Sequence, residues 1–584
     1  MNNSIFNHLS ALQGEREVSL PCKGRVGVGL MNRSMPLIRV WTLFTATSCL
    51  FAGTDPALKA YTSNLPFAMP ELEVPNIPNT RVAITNFGAI GDGNTMNSDA
   101  IAAAIHQCAA KGGGVVVIPP GMWLTGPIRL ENNIELHLDS GAVILFSKRF
   151  EDYPIFARPK SGVKCIPMIY GSNLHDVAIT GKGMVDGNGQ YWRPVKKEKT
   201  TDRQWKQLLA SGGAVTPDGK MWWPSKEAMN GQEFLKTLRK VNKKPSPEQS
   251  AGAREFLRPV MVELDDCSRV MVDGPTFVNS PAWTLVPTRC EEVVIRNITV
   301  NNPWWGQNTD GLDINSCRNL LLYNSVVSAG DDAICLKPAR PSDAHAGDPA
   351  CENIVVADCT VYNGHGGFVI GSESYGRARN ISVKNCTFIG TDIGLRFKSA
   401  KDRGGVIEKV YVDGIRMKDI ANEAILFDMF YDSNSDVETG NDRIPQYRDF
   451  YIRNIVCDGA SDAIFIRGLA DMPVKDIHFE NLSIKSQKAC FIQDAEGIDI
   501  NKLRVEMTKG PVWTLGDARD VRLEKISFPR TAELYLKVTG KKCEKIIVEK
   551  ASVSAANRGL ELDKDVRSDA VTVIEGSINS NNQR

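Results

Sequence analysis

The sequence predicts an all-β chain wound as a right-handed parallel β-helix, and two observations carry that prediction. One is a phrase that keeps returning from Val270 onward: Glu292-Val-Val-Ile-Arg-Asn, Asn319-Leu-Leu-Leu-Tyr-Asn, Asn353-Ile-Val-Val-Ala-Asp, Asn380-Ile-Ser-Val-Lys-Asn, Asp449-Phe-Tyr-Ile-Arg-Asn and Asp476-Ile-His-Phe-Glu-Asn. Its interval, roughly 23 to 40 residues, falls in the range of stacked repeats. Each phrase alternates apolar with polar residues and ends in Asn or Asp, which reads as a short strand closed by a turn. The other observation is a second strand in most units, as in Gly311-Leu-Asp-Ile, Ala333-Ile-Cys-Leu, Gly367-Phe-Val-Ile and Gly394-Leu-Arg-Phe. Helical repeats would need longer segments at 3.6-residue periodicity, and these are missing. A length of 584 residues would otherwise suggest about four domains of ~150 residues. A solenoid grows without adding domains.

Composition narrows the function. With 69 Lys+Arg against 68 Asp+Glu the net charge is +1, so no chain-wide basic surface for nucleic acid exists, and 42% hydrophobic residues mark a folded chain.

Taken in order, residues 1–60 read as a non-structural leader. Within it, 31–60 resembles a secretory signal: Arg33 and Arg39 precede an apolar run from Val40 to Ala52. The run is roughly 13 residues, short of the ~20 a transmembrane anchor needs. An exported chain, periplasmic or secreted, is expected, with lipidation at Cys49 as an alternative to a soluble form. Residues 61–584 are expected to form a single β-helix domain. Ser98 to Lys111 reads as an amphipathic helix with Ser98 as N-cap, suited to cover the open end of the solenoid. Residues 190–257 break the repeat with a helical pattern, four tryptophans and an excess of Lys and Arg. They are expected to fold over one side of the solenoid. Cys267, Cys290, Cys317 and Cys351 each precede an equivalent apolar residue by three positions, and Cys359, Cys386 and Cys457 each follow one by five. Such recurrence reads as ladders of small buried side chains, and no disulfide pairing is fixed. Beyond Asp476 the coil pattern continues without a polar cluster, as scaffold.

Aligning the second strands places Asp310 and Asp332 at one position of successive coils, at the ~5 Å strand spacing. Asp331 shares the next column with His365. Leu312, Ile334, Phe368 and Leu395 point inward, so Asp313, Cys335, Val369 and Arg396 point outward, and Lys398 shares a further outward column with Asn315, Lys337 and Gly371. One side of the solenoid thereby gathers Asp310, Asp331, Asp332, His365, Arg396 and Lys398. A lone Asp at a strand end usually closes a turn. Three packed carboxylates raise at least one pKa, which suits a pair of tasks in glycoside hydrolysis: a protonated carboxyl to protonate the leaving oxygen and an ionised one to activate water. Metal binding by the same carboxylates competes with this reading, and the neighbouring Arg396 and Lys398 weaken it.

Asn308-Thr-Asp310, Gly330-Asp331-Asp332, Gly364-His365-Gly366 and Arg396-Phe-Lys398 resemble, in order and spacing, the signatures of the polygalacturonases of glycoside hydrolase family 28. The resemblance spans from about Val82 to at least Phe430. One departure is Phe397, where the family usually has Ile. The resemblance implies hydrolysis of α-1,4-linked galacturonic acid in pectin with inversion, Asp331 as general acid, and Asp310 with Asp332 holding the attacking water. It further implies that His365 tunes the acid, that Arg396 and Lys398 bind a galacturonate carboxylate, and that Asn308 orients the site. No metal or cofactor is implied. Family members that trim chain ends resemble this chain in their long extra segments, so the insertion at 190–257 and the loop 338–350 point to exo attack. The alternatives are an endo-polygalacturonase, a calcium-dependent pectate lyase on the same kind of solenoid, and a non-catalytic carbohydrate-binding β-helix. Trp283, Trp304, Trp305 and Tyr431 are left as sugar-stacking or loop-packing residues.

Overall fold

The computed structural model describes residues 55–158, 162–338, 349–401, 403–431 and 444–574. The expected signal segment up to residue 54, with Cys49, lies outside the described residues, as does 339–348 of the loop expected to wall the cleft. The expected leader boundary at 60 falls inside a helix, Pro56–Thr62, whose N-cap Asp55 accepts from the Ala57 amide. Leu58 and Leu72 of this N-terminal segment cover Val294, Leu321 and Val355 on the outer face of the solenoid.

The chain is a right-handed parallel β-helix. One 25-stranded sheet carries two walls of the coil and a 14-stranded sheet carries the third, with successive coils paired in parallel. The third wall holds the register Leu312↔Ile334↔Phe368↔Leu395↔Ile425↔Ile464, every member fully buried. Strand residues alternate between faces, so fixing this inward column fixes Asp313, Cys335, Val369 and Arg396 as the outward one. Interior packing is where stability resides: truncating a ring such as Phe368 to Ala costs ~3–5 kcal/mol.

The turns explain why most of the phrases also open on Asn or Asp. Asn319, Asn353 and Asn380 sit at φ +52°, +56° and +57°, the left-handed region that short amide side chains tolerate. Their amides form a ladder up the solenoid, Asn353 Nδ2 donating to Asn319 Oδ1 at 3.0 Å and Asn380 Nδ2 to Asn353 Oδ1 at 2.9 Å. The cysteine columns are buried, and all twelve described cysteines are free thiols. Cys290 and Cys317 donate to the carbonyls of Leu264 and Pro287, each at 3.3 Å.

Helix Ser98–Ala110 covers the N-terminal end, burying Ile101, Ala104, Ile105 and Cys108. Its N-cap is Asn97 rather than the expected Ser98. Ser98 Oγ instead accepts from the Gly126 amide at 2.7 Å, tying the helix to the first coils. The insertion holds helices Asp202–Ala210 and Lys226–Val241, as expected, and also a small antiparallel sheet of Val195–Lys196, Ala214–Val215 and Met221–Trp223. No described helix is long and apolar enough to cross a membrane.

Candidate active site

Three consecutive coils deliver the carboxylates and the histidine. Asp310 ends the loop before strand Leu312–Asn315, Asp332 opens strand Asp332–Lys337, and His365 directly precedes strand Gly366–Ile370. Thr309 fixes the first turn: its hydroxyl donates to the Gly306 carbonyl at 2.9 Å and accepts from the Gly330 amide at 3.1 Å. The turns thus hold one another, and carboxylate oxygens of Asp310, Asp331 and Asp332 all lie within 4.8 Å of one another. That is close enough to bracket a cation, yet Lys337, Arg396 and Lys398 already stand against the trio.

Each carboxylate has a different environment. Asp332 is buried between Arg396 Nη1 at 3.1 Å and Lys398 Nζ at 2.7 Å. Burial works to raise its pKa, but the two cations outweigh it and hold the group ionised, well below the usual carboxylate range. Asp310 is buried too, with Lys337 Nζ at 3.5 Å from Oδ2 and no hydrogen-bond partner for Oδ1. Burial, then the charges of Asp313 and Asp331, push it well above the ordinary value. Asp331 has the most exposed side chain of the three, at 20%. Burial raises it as well, but the bond to His365 prevails and lowers it, with Nδ1 at 3.1 Å from Oδ1. In the protein alone the proton therefore favours Asp310, not Asp331.

Gly366 is what lets Arg396 reach Asp332. It pairs with Asp332 in the ladder, and a Cβ there would lie 3.3 Å from Arg396 Cβ and Cδ and 2.5 Å from Val369 Cγ2. Any side chain would occupy the path of the guanidinium.

All the residues expected in the site are brought together, with differences of detail. Arg396 and Lys398, expected to meet a substrate carboxylate, are already turned onto Asp332, and Lys398 is buried. Asn308, at φ +56°, accepts from Arg258 Nη2 at 2.8 Å. Around them stand groups outside the expected set. Lys337 lies 3.0 Å from Asp313 and 3.8 Å from Glu373, with the Trp283 ring 4.1 Å away. Burial pushes the Asp313 carboxyl up to about 7, while Glu373 falls to about 2, its burial outweighed by the charges of Lys337, Lys398 and Arg403. Tyr431 lies over Lys398 at 4.7 Å and Arg396 at 5.6 Å. A signal for Lys337 was present, since it shares the outward column of Lys398. Arg258 belongs to no repeat and carried none.

Residues 202–499, half of the chain, match the model of glycosyl hydrolases family 28. The chain belongs to that family. As a family 28 enzyme it is a glycosidase, with the fold of its solved neighbours. The structure of a hyperthermoactive exopolygalacturonase from Thermotoga maritima superposes with a TM-score of 0.61 at 30% identity, covering 73% of this chain and 91% of that one. An exo-poly-alpha-D-galacturonosidase of Dickeya chrysanthemi is 25% identical across 76% of this chain and 74% of its own. An endo-polygalacturonase of Pectobacterium carotovorum subsp. carotovorum is 24% identical across 69% and 87%.

Proposed function

We infer that this glycosidase acts on polygalacturonate from a chain end, by metal-independent acid/base hydrolysis with inversion. The enzyme is a polygalacturonase: relatives of that activity match most of its length, and a hydrolase family replaces the lyase alternative. The observation that carries the mechanism is the carboxylate trio, with Asp332 held ionised by Arg396 and Lys398 and Asp331 the most exposed member. The group that gives its proton to the leaving oxygen must touch the substrate, which suits Asp331. Buried Asp310 and Asp332 suit the holding of a water. A galacturonate in the cleft brings further negative charge to the trio, and like charge raises a carboxyl pKa, moving Asp331 toward its protonated form. Arg396 reaches Asp332 through Nη1 and keeps a buried Nε without an acceptor, so part of its fork stays unclaimed for a sugar carboxylate.

Exo attack is supported by where the insertion packs. Trp305, five residues before Asp310, lies against Val195, Trp205 and Trp222 of the insertion, and Lys199 sits 5.3 Å over Trp304. The insertion thus leans on the loop that delivers Asn308 and Asp310, where it would bar a longer chain from passing. Export to the periplasm or medium is supported by the arginine-flanked apolar run before Ala60, and cell fractionation tests it.

The experiment is a product profile on polygalacturonate in chelator, for the wild type and Asp331→Asn. Monomer or dimer from the start with little viscosity loss supports exo hydrolysis, and a ~10²- to 10⁴-fold loss in the variant supports Asp331 as the acid. Early intermediate oligomers would reassign the enzyme as endo. Activity restored only by calcium would overturn the mechanism.

A further inference from the structure

Where the insertion meets the solenoid stand two neighbouring guanidinium groups: Arg258, which feels the charges of Asp310 and Asp331, and Arg193 behind it. Arg193 is 1% exposed; its Nη1 donates to the Ser280 carbonyl at 2.5 Å, its plane lies 5.6 Å from the Trp305 ring, and its Nε finds no acceptor. Arg258 is half-buried. Its Nη1 donates to the carbonyls of Gln307 at 2.8 Å and Pro281 at 3.3 Å, and its Nη2 to Asn308 Oδ1 at 2.8 Å. Neither forms an ion pair among the described residues. Burial and the charge of Arg258 pull Arg193 down to about 9, against the charge of Asp186; burial pulls Arg258 down to about 10, against the charges of Asp310 and Asp331.

Buried charges are ordinarily paired, because an uncompensated one keeps its desolvation penalty. Two neighbouring guanidiniums held only by neutral oxygens form a site short of one anion. The anion is at hand in the substrate, since galacturonan carries a carboxylate on every sugar. The two sides of the trio are not equivalent. Arg396 and Lys398 reach Asp332 from a single later coil, whereas Arg258 is fastened to the loop that precedes Asp310. A substrate lying along the solenoid axis with its scissile bond over the trio places one sugar carboxylate toward Arg396 and the preceding one toward Arg258.

Resting on the galacturonan-hydrolase reading above, we propose that Arg258 binds the carboxylate of the sugar on the opposite side of the cleaved bond from the one met by Arg396 and Lys398, with Arg193 behind it as a positioning residue. The two sides then carry separate cations, and the enzyme reads the free acid on both sugars flanking the bond. Replacing either acid by its methyl ester removes the negative charge, and esterification on the Arg258 side leaves that guanidinium unpaired.

The test compares trigalacturonate with trimers methyl-esterified at a single sugar, using wild type, Arg258→Gln, Arg258→Lys and Asn308→Ala. In the wild type, an ester on the sugar facing Arg258 lowers kcat/KM by ~30-fold or more, the loss expected when a guanidinium taken out of water by the bound sugar is denied its charged partner. Arg258→Gln shows a similar loss on the acid and no further loss on that ester. Arg258→Lys keeps the discrimination, and so does Asn308→Ala. A wild type indifferent to the ester at that sugar overturns the proposal without any variant having to fold. Equal losses on acid and ester in Arg258→Gln overturn it as well, since they would assign Arg258 to supporting the loop. Release of reducing ends from unesterified trigalacturonate by the wild type reads the hydrolase assignment separately, and the fragment lengths read the mode of attack.

Discussion

His365 Nδ1 lies 3.1 Å from Asp331 Oδ1, while the His365 backbone amide donates to the Asp331 carbonyl at 2.9 Å, so one residue holds the other by both main chain and side chain. The ladder bond orients the acid, and the ring bond sets its charge. Asp331 is the carboxyl whose bond to His365 overcomes its own burial. Removing the ring removes the larger lowering influence and leaves the raising one.

His365→Asn therefore moves the Asp331 pKa upward. The alkaline limb of kcat/KM, which reports the group that must be protonated in the free enzyme, shifts to higher pH, while kcat at the wild-type optimum falls as the acid loses its orientation. A pH profile decides it. A limb that stays in place, or moves down, would remove Asp331 from the acid role.

Stability should depend on pH with opposite signs at the two ends. Asp313, raised to about 7, and Asp310, raised well above its ordinary value, bind more protons folded than unfolded. Their contribution is full below the unfolded value of ~4 and declines as pH rises toward about 7. Glu373, lowered to about 2, and Asp332, lower still, contribute above ~4 and lose that contribution as pH falls. The urea midpoint should thus peak in weakly acidic buffer, and Asp313→Asn should flatten the decline toward neutrality. A midpoint that climbs steadily from pH 5 to 7.5 would contradict this placement of protons.

The fold and most of the site were legible because both follow from period-two alternation. Once Leu312, Ile334, Phe368 and Leu395 are set as one inward column, Asp310 falls over Asp332, Asp331 beside His365, and Arg396 and Lys398 on the same outer wall. What alternation cannot report is which outward residues are covered. Asp313 and Lys337 are outward by register yet buried, because Trp283 of a preceding coil lies over Lys337. Arg258 was invisible for a different reason: it comes from where the insertion ends, and its partners at Gln307 and Asn308 are distant in sequence. The helix cap moved by one residue because the Gly126 amide claims the Ser98 hydroxyl, while Asn97 takes the cap position with no side-chain cap bond, its amide donating to the Ile90, Thr95 and Leu124 carbonyls.

Asn353 tests the ladder. Its amide gives one hydrogen bond to Asn319 and receives one from Asn380, at a left-handed φ of +56°. Asn353→Ala loses both bonds, each ~1 kcal/mol net, and with the amide its local tolerance of a left-handed conformation that costs an ordinary L-residue roughly 1–2 kcal/mol. A destabilisation of ~2–4 kcal/mol is expected in urea unfolding. Asn353→Gly should recover the conformational part alone. Equal midpoints for Ala and Gly would show that the backbone relaxes and that the amide ladder carries the effect.

Asp332→Asn separates catalysis from binding. The wild-type carboxylate occupies Arg396 and Lys398 at 3.1 and 2.7 Å. The amide cannot neutralise them, so both cations are freed for the sugar carboxylate while water loses its base. The expected outcome is a kcat ~10²- to 10⁴-fold lower, with KM unchanged if the carboxylate acts in the transition state alone and reduced if the freed cations also hold the sugar more tightly. A KM that rises in step with the loss of kcat would mean that Asp332 positions the cations for binding instead.

The stereochemical course is the sharpest test of how the trio divides its labour. One oxygen from each carboxylate lies within 4.8 Å of the others, so a member of the trio could attack the anomeric carbon itself, with retention, or activate a water, with inversion. A nucleophile, however, needs a free and ionised oxygen. Asp332 is ionised but bound by two cations, and Asp310 is free at Oδ1 but favours its proton. Neither meets both requirements, whereas the two together can accept from and orient one water. Proton NMR of the first turnovers should therefore show the β-anomer released from the α-linkage, with the α-anomer growing only by mutarotation. An initial α-anomer would establish retention and make one of these two carboxylates the nucleophile.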